Sequence, residues 1–191
     1  MKKYAKGEYG YLKYKKKISL IIMLTSFLVI LGVFITGIIV NGSKNNIFTV
    51  MAAVLTLPAA KFAVAYFILI PHHSTPLEVY NETYNKFQGL YCCYDLIFSN
   101  KESPIGTQAV CISDTLIIAY TDEDKANKKL FESSVKEFLQ RDGLSVNVNL
   151  YTDLKSFTSK AKYISSGSGD SKNEPSHRIL KNKESLLNMC L

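Results

Sequence analysis

The chain has 191 residues, 47% of them hydrophobic and 20% charged, with a formal net charge of +7. Those averages suit a globular protein, but the distribution does not: residues 18–40 and 47–70 contain a single charge, Lys61. A simple soluble protein, a disordered chain and a disulfide-stapled mini-protein are thereby excluded.

Residues 1–17 (MKKYAKGEYGYLKYKKK) hold seven lysines and one glutamate. Residues 71–191 hold fourteen basic and fifteen acidic residues, so the basic excess belongs to a short tail ahead of an apolar run. A tail so placed matches the positive-inside signal and anionic lipid headgroups better than a nucleic-acid face. Arginine is scarce beside lysine, and Ile, Asn and Tyr are abundant. That is the coding bias of an AT-rich genome, and a bacterial origin is the expectation.

Residues 18–40 form an uncharged run of 23. A bilayer core needs roughly 20 apolar residues, whereas a cleavable signal has an apolar stretch of roughly 7–15 followed by a small-x-small site. A retained span is expected. Residues 47–70 are a second span, interrupted by Pro58 and Lys61. The polar connection 41–46 (NGSKNN) makes the pair an antiparallel hairpin. Six net positive charges precede the first span against one lysine in the connection. Both termini are therefore expected in the cytoplasm of a multi-pass protein of the cell membrane. The small residues Ala52, Ala53, Ala59, Ala60 and Ala63 would let the helices approach closely. Placing residues 18 and 70 at one depth sets Lys61 level with Thr25 and Ser26. A charge inside a span is a functional hypothesis by default, so these three form a candidate intramembrane polar site. The competing role for Lys61 is to snorkel towards the headgroups.

In residues 71–164, helical spacing places Leu77, Tyr80, Tyr84 and Phe87 on one face of a helix over 76–88, stopped at Gly89. Residues 91–98 (YCCYDLIF) are apolar on both faces and read as an interior strand. Strands follow at 107–112 and 115–121 around a Ser113-Asp114 loop. An amphipathic helix over 122–140 is expected, capped by Thr121, then an alternating strand at 145–151 and a helix at 153–164. The third strand, the long helix and the fourth strand could make a crossover with parallel pairing. Residues 165–176 read as a flexible polar linker. Residues 177–191 read as an amphipathic helix that docks on its own domain, with a partner groove or the membrane surface as the other settings. The fold class is thus α+β: a two-helix transmembrane hairpin followed by a small cytosolic domain with a roughly four-stranded mixed sheet and flanking helices.

The chemistry is sparse. Asp95 lies within a strand, Asp114 in a turn, and Asp122 and Glu123 just after a strand. Carboxylates at strand ends can bind a divalent cation in hydrolases. Acids in a first helical turn complement the helix dipole without catalysis, and that role is expected of Asp122 and Glu123. His72-His73 and Cys92-Cys93 are adjacent pairs, which chelate one ion poorly in a strand because neighbours point to opposite faces. In a reducing compartment Cys92, Cys93, Cys111 and Cys190 read as free thiols. Phosphate loops are absent, and no cofactor or metal site is expected. Tyr4, Tyr9, Tyr11, Tyr14, Tyr66, Tyr80 and Tyr84 read as interfacial anchors.

The leading expectation is a membrane-anchored module that binds a protein or a small ligand. Its partners would be the bilayer and a protein or second copy met through the hairpin or the last helix, and nucleic acid is not among them. The alternatives are a membrane-tethered metal-dependent hydrolase using Asp95, Asp114, Asp122 and Glu123, and an accessory subunit of a transporter using Lys61.

Overall fold

The computed structural model describes residues 4–43, 46–87, 89–99, 103–123, 126–167 and 176–191. The chain divides into two compact units, Lys13–Pro71 on the one hand and Met1–Leu12 with His72–Leu191 on the other.

The first unit is a helical pair. Helix α1 spans Tyr11–Asn41 and α2 spans Ile47–Leu69. Asn46 starts α2 by accepting from the Thr49 amide, and its own amide group donates to the Gly37 carbonyl at 2.9 Å. Gly37 is needed there because a Cβ would lie 2.5 Å from the Phe48 Cβ, a close approach that only glycine permits. Ala52, Ala59 and Ala63 lie on the less exposed side of α2, whereas Ala53 and Ala60 are exposed. Both helices are long and apolar enough to cross a membrane. Almost nothing of their most apolar stretches is buried in the protein: Leu28 is 67% exposed, Ile39 76% and Leu57 74%.

The second unit is α+β. In chain order it contains α3 (Leu77–Thr83), β1 (Tyr91–Phe98), β2 (Ile105–Ile112), β3 (Leu116–Tyr120), α4 (Lys128–Arg141), β4 (Asn147–Tyr151), α5 (Leu154–Gly167) and α6 (His177–Met189). The sheet order is β1-β2-β3-β4, with β1, β2 and β3 antiparallel and β4 parallel to β3. The expected parallel crossover is therefore present. On one face Phe131, Val135 and Leu139 of α4 and Ile179 and Leu186 of α6 pack on Leu96, Phe98, Val110 and Ile112. On the other, Val79 of α3 and Phe157 and Ala161 of α5 pack on Tyr94, Ala109 and Ile118. Helices thus cover both faces, the usual way a half-apolar helix and a sheet satisfy each other.

Several expectations need correction. β1 is an edge strand, not an interior one. Its outer edge is covered by the chain ahead of α1, where the Tyr94 amide donates to the Gly7 carbonyl at 2.8 Å. Covering an edge in this way hides the open hydrogen-bonding groups that invite wrong pairing. Residues up to Leu12 thus belong to the folded α+β unit. Tyr9, Tyr80 and Tyr84 are not free interfacial anchors. Tyr80 stacks on Tyr84 at 4.8 Å and meets Tyr9 at 4.3 Å and Tyr94 at 5.0 Å.

Helix α4 begins at Lys128, six residues later than its periodicity suggests, because Asn127 caps it by accepting from the Leu130 amide. Thr121 is engaged elsewhere, donating to the Gly106 carbonyl at 2.7 Å. Residues 165–167 of the expected linker continue α5, and 168–175 lie outside the described residues. The last helix docks on its own domain. Ile179, Leu186 and Cys190 sit in the core, and the Leu191 amide donates to the Ile97 carbonyl.

Candidate functional site

The sheet's alternation slips by one residue at Asp95. Cys93, Leu96 and Phe98 share one face of β1, while Cys92 and Tyr94 take the other. The same slip occurs on β2 between Ile105 and Val110, so the two strands stay in register around the break. Asp95 has a φ of 54°, in the left-handed region that Asp tolerates better than most side chains. The twist turns its carboxylate, only 2% exposed with its residue, towards a ring of donors.

One oxygen, Oδ2, accepts from the amides of Gly10 at 2.8 Å and Leu12 at 3.3 Å. The other, Oδ1, accepts from the Thr75 amide at 2.6 Å, and the Ser74 hydroxyl lies within 3.0 Å of both oxygens. The single hydroxyl hydrogen of Thr75 lies between Oδ1 at 2.8 Å and the Gln108 carbonyl at 2.6 Å. Asp95 therefore sits at the start of α1, where unpaired amides and the helix dipole favour an anion. It also binds the segment that follows α2. One side chain fastens both chain stretches that flank the helical pair to the same strand.

The neighbouring polar groups form a second layer. Gln108 meets Asp122 twice: its amide group donates to the carboxylate, and its oxygen accepts from the Asp122 amide at 3.0 Å. Glu123 accepts from the Gly106 amide at 3.1 Å and meets His72 Nδ1 at 2.6 Å. Gly106 leaves room for this pair, since a Cβ there would lie 2.7 Å from Glu123 and 3.0 Å from His72. The role expected for Asp122 and Glu123 in a first helical turn is thus overturned, because both tie the end of β3 back to β2. Burial, with Asp122 and Asp153 nearby, pushes the Tyr120 phenol up. Burial pushes the Tyr94 phenol up to about 12.

Asp114 lies apart from this cluster. Its carboxylate accepts from the Ser176 hydroxyl, and the Asn182 amide group donates to the carbonyls of Ser113 and Asp114 at 3.0 and 3.3 Å. It anchors the start of α6, at the far end of β2 from Gly106. Among the described residues no three His, Cys, Asp or Glu side chains are placed to hold a metal ion. In the helical pair, Thr25 and Ser26 line a groove with Leu55, Pro58, Ala59 and Phe62, and Ser26 donates to the Ile22 carbonyl. Lys61 is on the exposed side of α2.

Sequence reasoning left two features unnoticed. The first is the hub's donors: Gly10, Leu12, Ser74 and Thr75 are ordinary residues in sequence, and only the return of the chain brings them to Asp95. A carboxylate in an apolar strand was the available signal, because such a group needs partners. The second is an open groove of about 530 Å³ between α4 and β4, lined by Lys129, Glu132, Ser133, Lys136, Asn147, Asn149 and Lys160, with Leu116 and Val148. Glu132 is already committed to the Leu150 amide at 2.8 Å. The three lysines, two of them two turns apart on α4 and the third on α5, outnumber Glu132 and leave the groove positive.

Compared with protein-family models, with curated proteins and with solved structures, the chain matches none.

Proposed function

We propose that the chain is a two-pass membrane protein whose α+β domain lies in the cytosol as a binding module, with the groove between α4 and β4 as its face for an anionic ligand. The observation that carries the membrane part is the Asp95 hub. Both flanks of the helical pair are fastened to one strand of one folded unit, so the chain between them leaves a side of the membrane and returns to it. Two crossings satisfy this; one does not. The helices are apolar on nearly all sides and unburied, as lipid requires and a soluble core does not. Cytosolic placement is supported by the seven lysines ahead of the first span.

Binding is favoured over hydrolysis because the oxygens of Asp95 are taken up by backbone amides and hydroxyls, while Asp122 and Glu123 hold Gln108, Gly106 and His72. Among the described residues, the groove is a concave surface with charge to spare. Titration of the full chain in detergent with inorganic pyrophosphate, followed by calorimetry, tests it. Binding that weakens with added salt is expected, with a loss of about tenfold in affinity for Lys136→Glu or Lys160→Glu, one charge-assisted contact each. Equal affinity in the wild type and both variants overturns the assignment of the groove.

A further inference from the structure

Cys92 and Cys111 are disulfide-bonded across β1 and β2, which corrects the expectation of four free thiols. They are register partners in the antiparallel ladder, with Cα atoms 4.2 Å apart, near the spacing of a non-hydrogen-bonded pair, whose side chains lie closest. The ladder therefore holds the two sulfurs together whether or not they are bonded. The other cysteines are of a different kind. Cys93 and Cys190 are buried on the opposite face, 1% and 6% exposed, and burial pushes the Cys93 thiol up to about 12. Neither can act as a resolving thiol for the pair, since Cys93 pairs with Val110 and points away. Of the bonded sulfurs, Cys111 is fully buried and Cys92 is half-buried. Cys92 is the point of entry for a thiol or disulfide from solution.

In a cytosolic domain a lasting structural disulfide is out of place, and the disulfides found there are mainly transient or redox-sensing. We infer that Cys92 and Cys111 are a reversible redox site, reduced in the resting cell and oxidised by thiol–disulfide exchange. The inference rests on the cytosolic placement proposed above. The Cys92 thiol loses its proton to solvent and attacks one sulfur of an oxidant disulfide, forming a mixed disulfide and releasing a thiol. Cys111, deprotonated in turn, attacks the Cys92 sulfur and expels the second thiol. The two cysteines give up two electrons, and the oxidant disulfide takes them as it becomes two thiols. A dithiol reverses both steps. The bond closes three residues from Asp95, so oxidation welds to β2 the strand that holds both flanks of the helical pair.

The test uses the full chain in growing cells. Cells are quenched in acid, denatured, and alkylated with a maleimide polymer that adds one mass increment per free thiol. Four increments are expected in untreated cells, one for each cysteine. Two are expected after brief diamide treatment, which turns cellular thiols into disulfides, and four again after a dithiol chase. Peptide mapping should assign the change to Cys92 and Cys111. Four increments under diamide overturn the redox site and leave the cytosolic placement standing. Two increments in untreated cells, unmoved by either reagent, show a permanent disulfide and overturn the cytosolic placement with it.

Discussion

Asp95→Ala is expected to destabilise the α+β domain by about 3–5 kcal/mol, the range for removing one partner from a buried charged network. The amides of Gly10, Leu12 and Thr75 and the hydroxyl of Ser74 lose their acceptor in a site that water reaches poorly. Each buried donor left unpaired costs about 1–3 kcal/mol, and partial relaxation keeps the total below their sum. Against a domain stability of about 5–15 kcal/mol, the loss unfolds a weak domain and is easily measured in a strong one. Urea unfolding of the full chain in a mild detergent reads it. Asp95→Asn should cost less than Asp95→Ala, because the amide keeps one acceptor oxygen while turning two donor hydrogens on groups that are themselves donors. Thr75→Val should be strongly non-additive with Asp95→Ala, since the Thr75 hydroxyl is shared between Asp95 and Gln108. An Asp95→Ala protein as stable as the wild type would mean that the hub does not hold the flanks.

Leu186→Ala is expected to cost about 2–5 kcal/mol, the range for a core leucine whose cavity only partly relaxes. Leu186 is 0% exposed and lies between α6 and the sheet among Phe98, Ile112 and Leu139. Leu180, on the same helix and 44% exposed, is the internal control: its change to alanine should stay within about 0.5 kcal/mol. The contrast separates a helix that completes the core from one that only rests on the surface. Equal, small effects at both positions would return α6 to the status of a mobile segment open to a partner.

Much of the fold was legible because its signals are local. The uncharged run at 18–40, the period of Leu130, Phe131, Val135, Phe138 and Leu139, and the alternation of Val146, Val148 and Leu150 each report one element directly. The parallel pairing of β3 and β4 followed from the helix between them. What stayed hidden depends on chain return. The apolar residues on both faces of YCCYDLIF suggested an interior strand, yet it is an edge strand whose outer edge is covered by Gly7, 87 residues upstream of Tyr94. The basic tail looked like a lipid contact, since nothing local shows that Gly10 and Leu12 serve Asp95. The acidic stretch mimicked a helix start because Thr121, Asp122 and Glu123 have the right residue types. Their partners Gly106, Gln108 and His72 come from elsewhere in the chain. Cys92 and Cys111 needed only the β1–β2 register to be seen as a pair, and that register was the missing fact.

The proposed topology, two membrane crossings with the α+β domain returned to the cytosol, is open to direct labelling. A cysteine introduced at Ser43, in the connection between the helices, and one at Ser159, exposed on α5, are labelled with a membrane-impermeant maleimide and compared with the unaltered chain. In intact cells Ser43→Cys should label and Ser159→Cys should not, and both should label once the membrane is opened. Labelling of Ser159→Cys from outside, or protection of both sites until the membrane is opened, would contradict two crossings with a cytosolic domain.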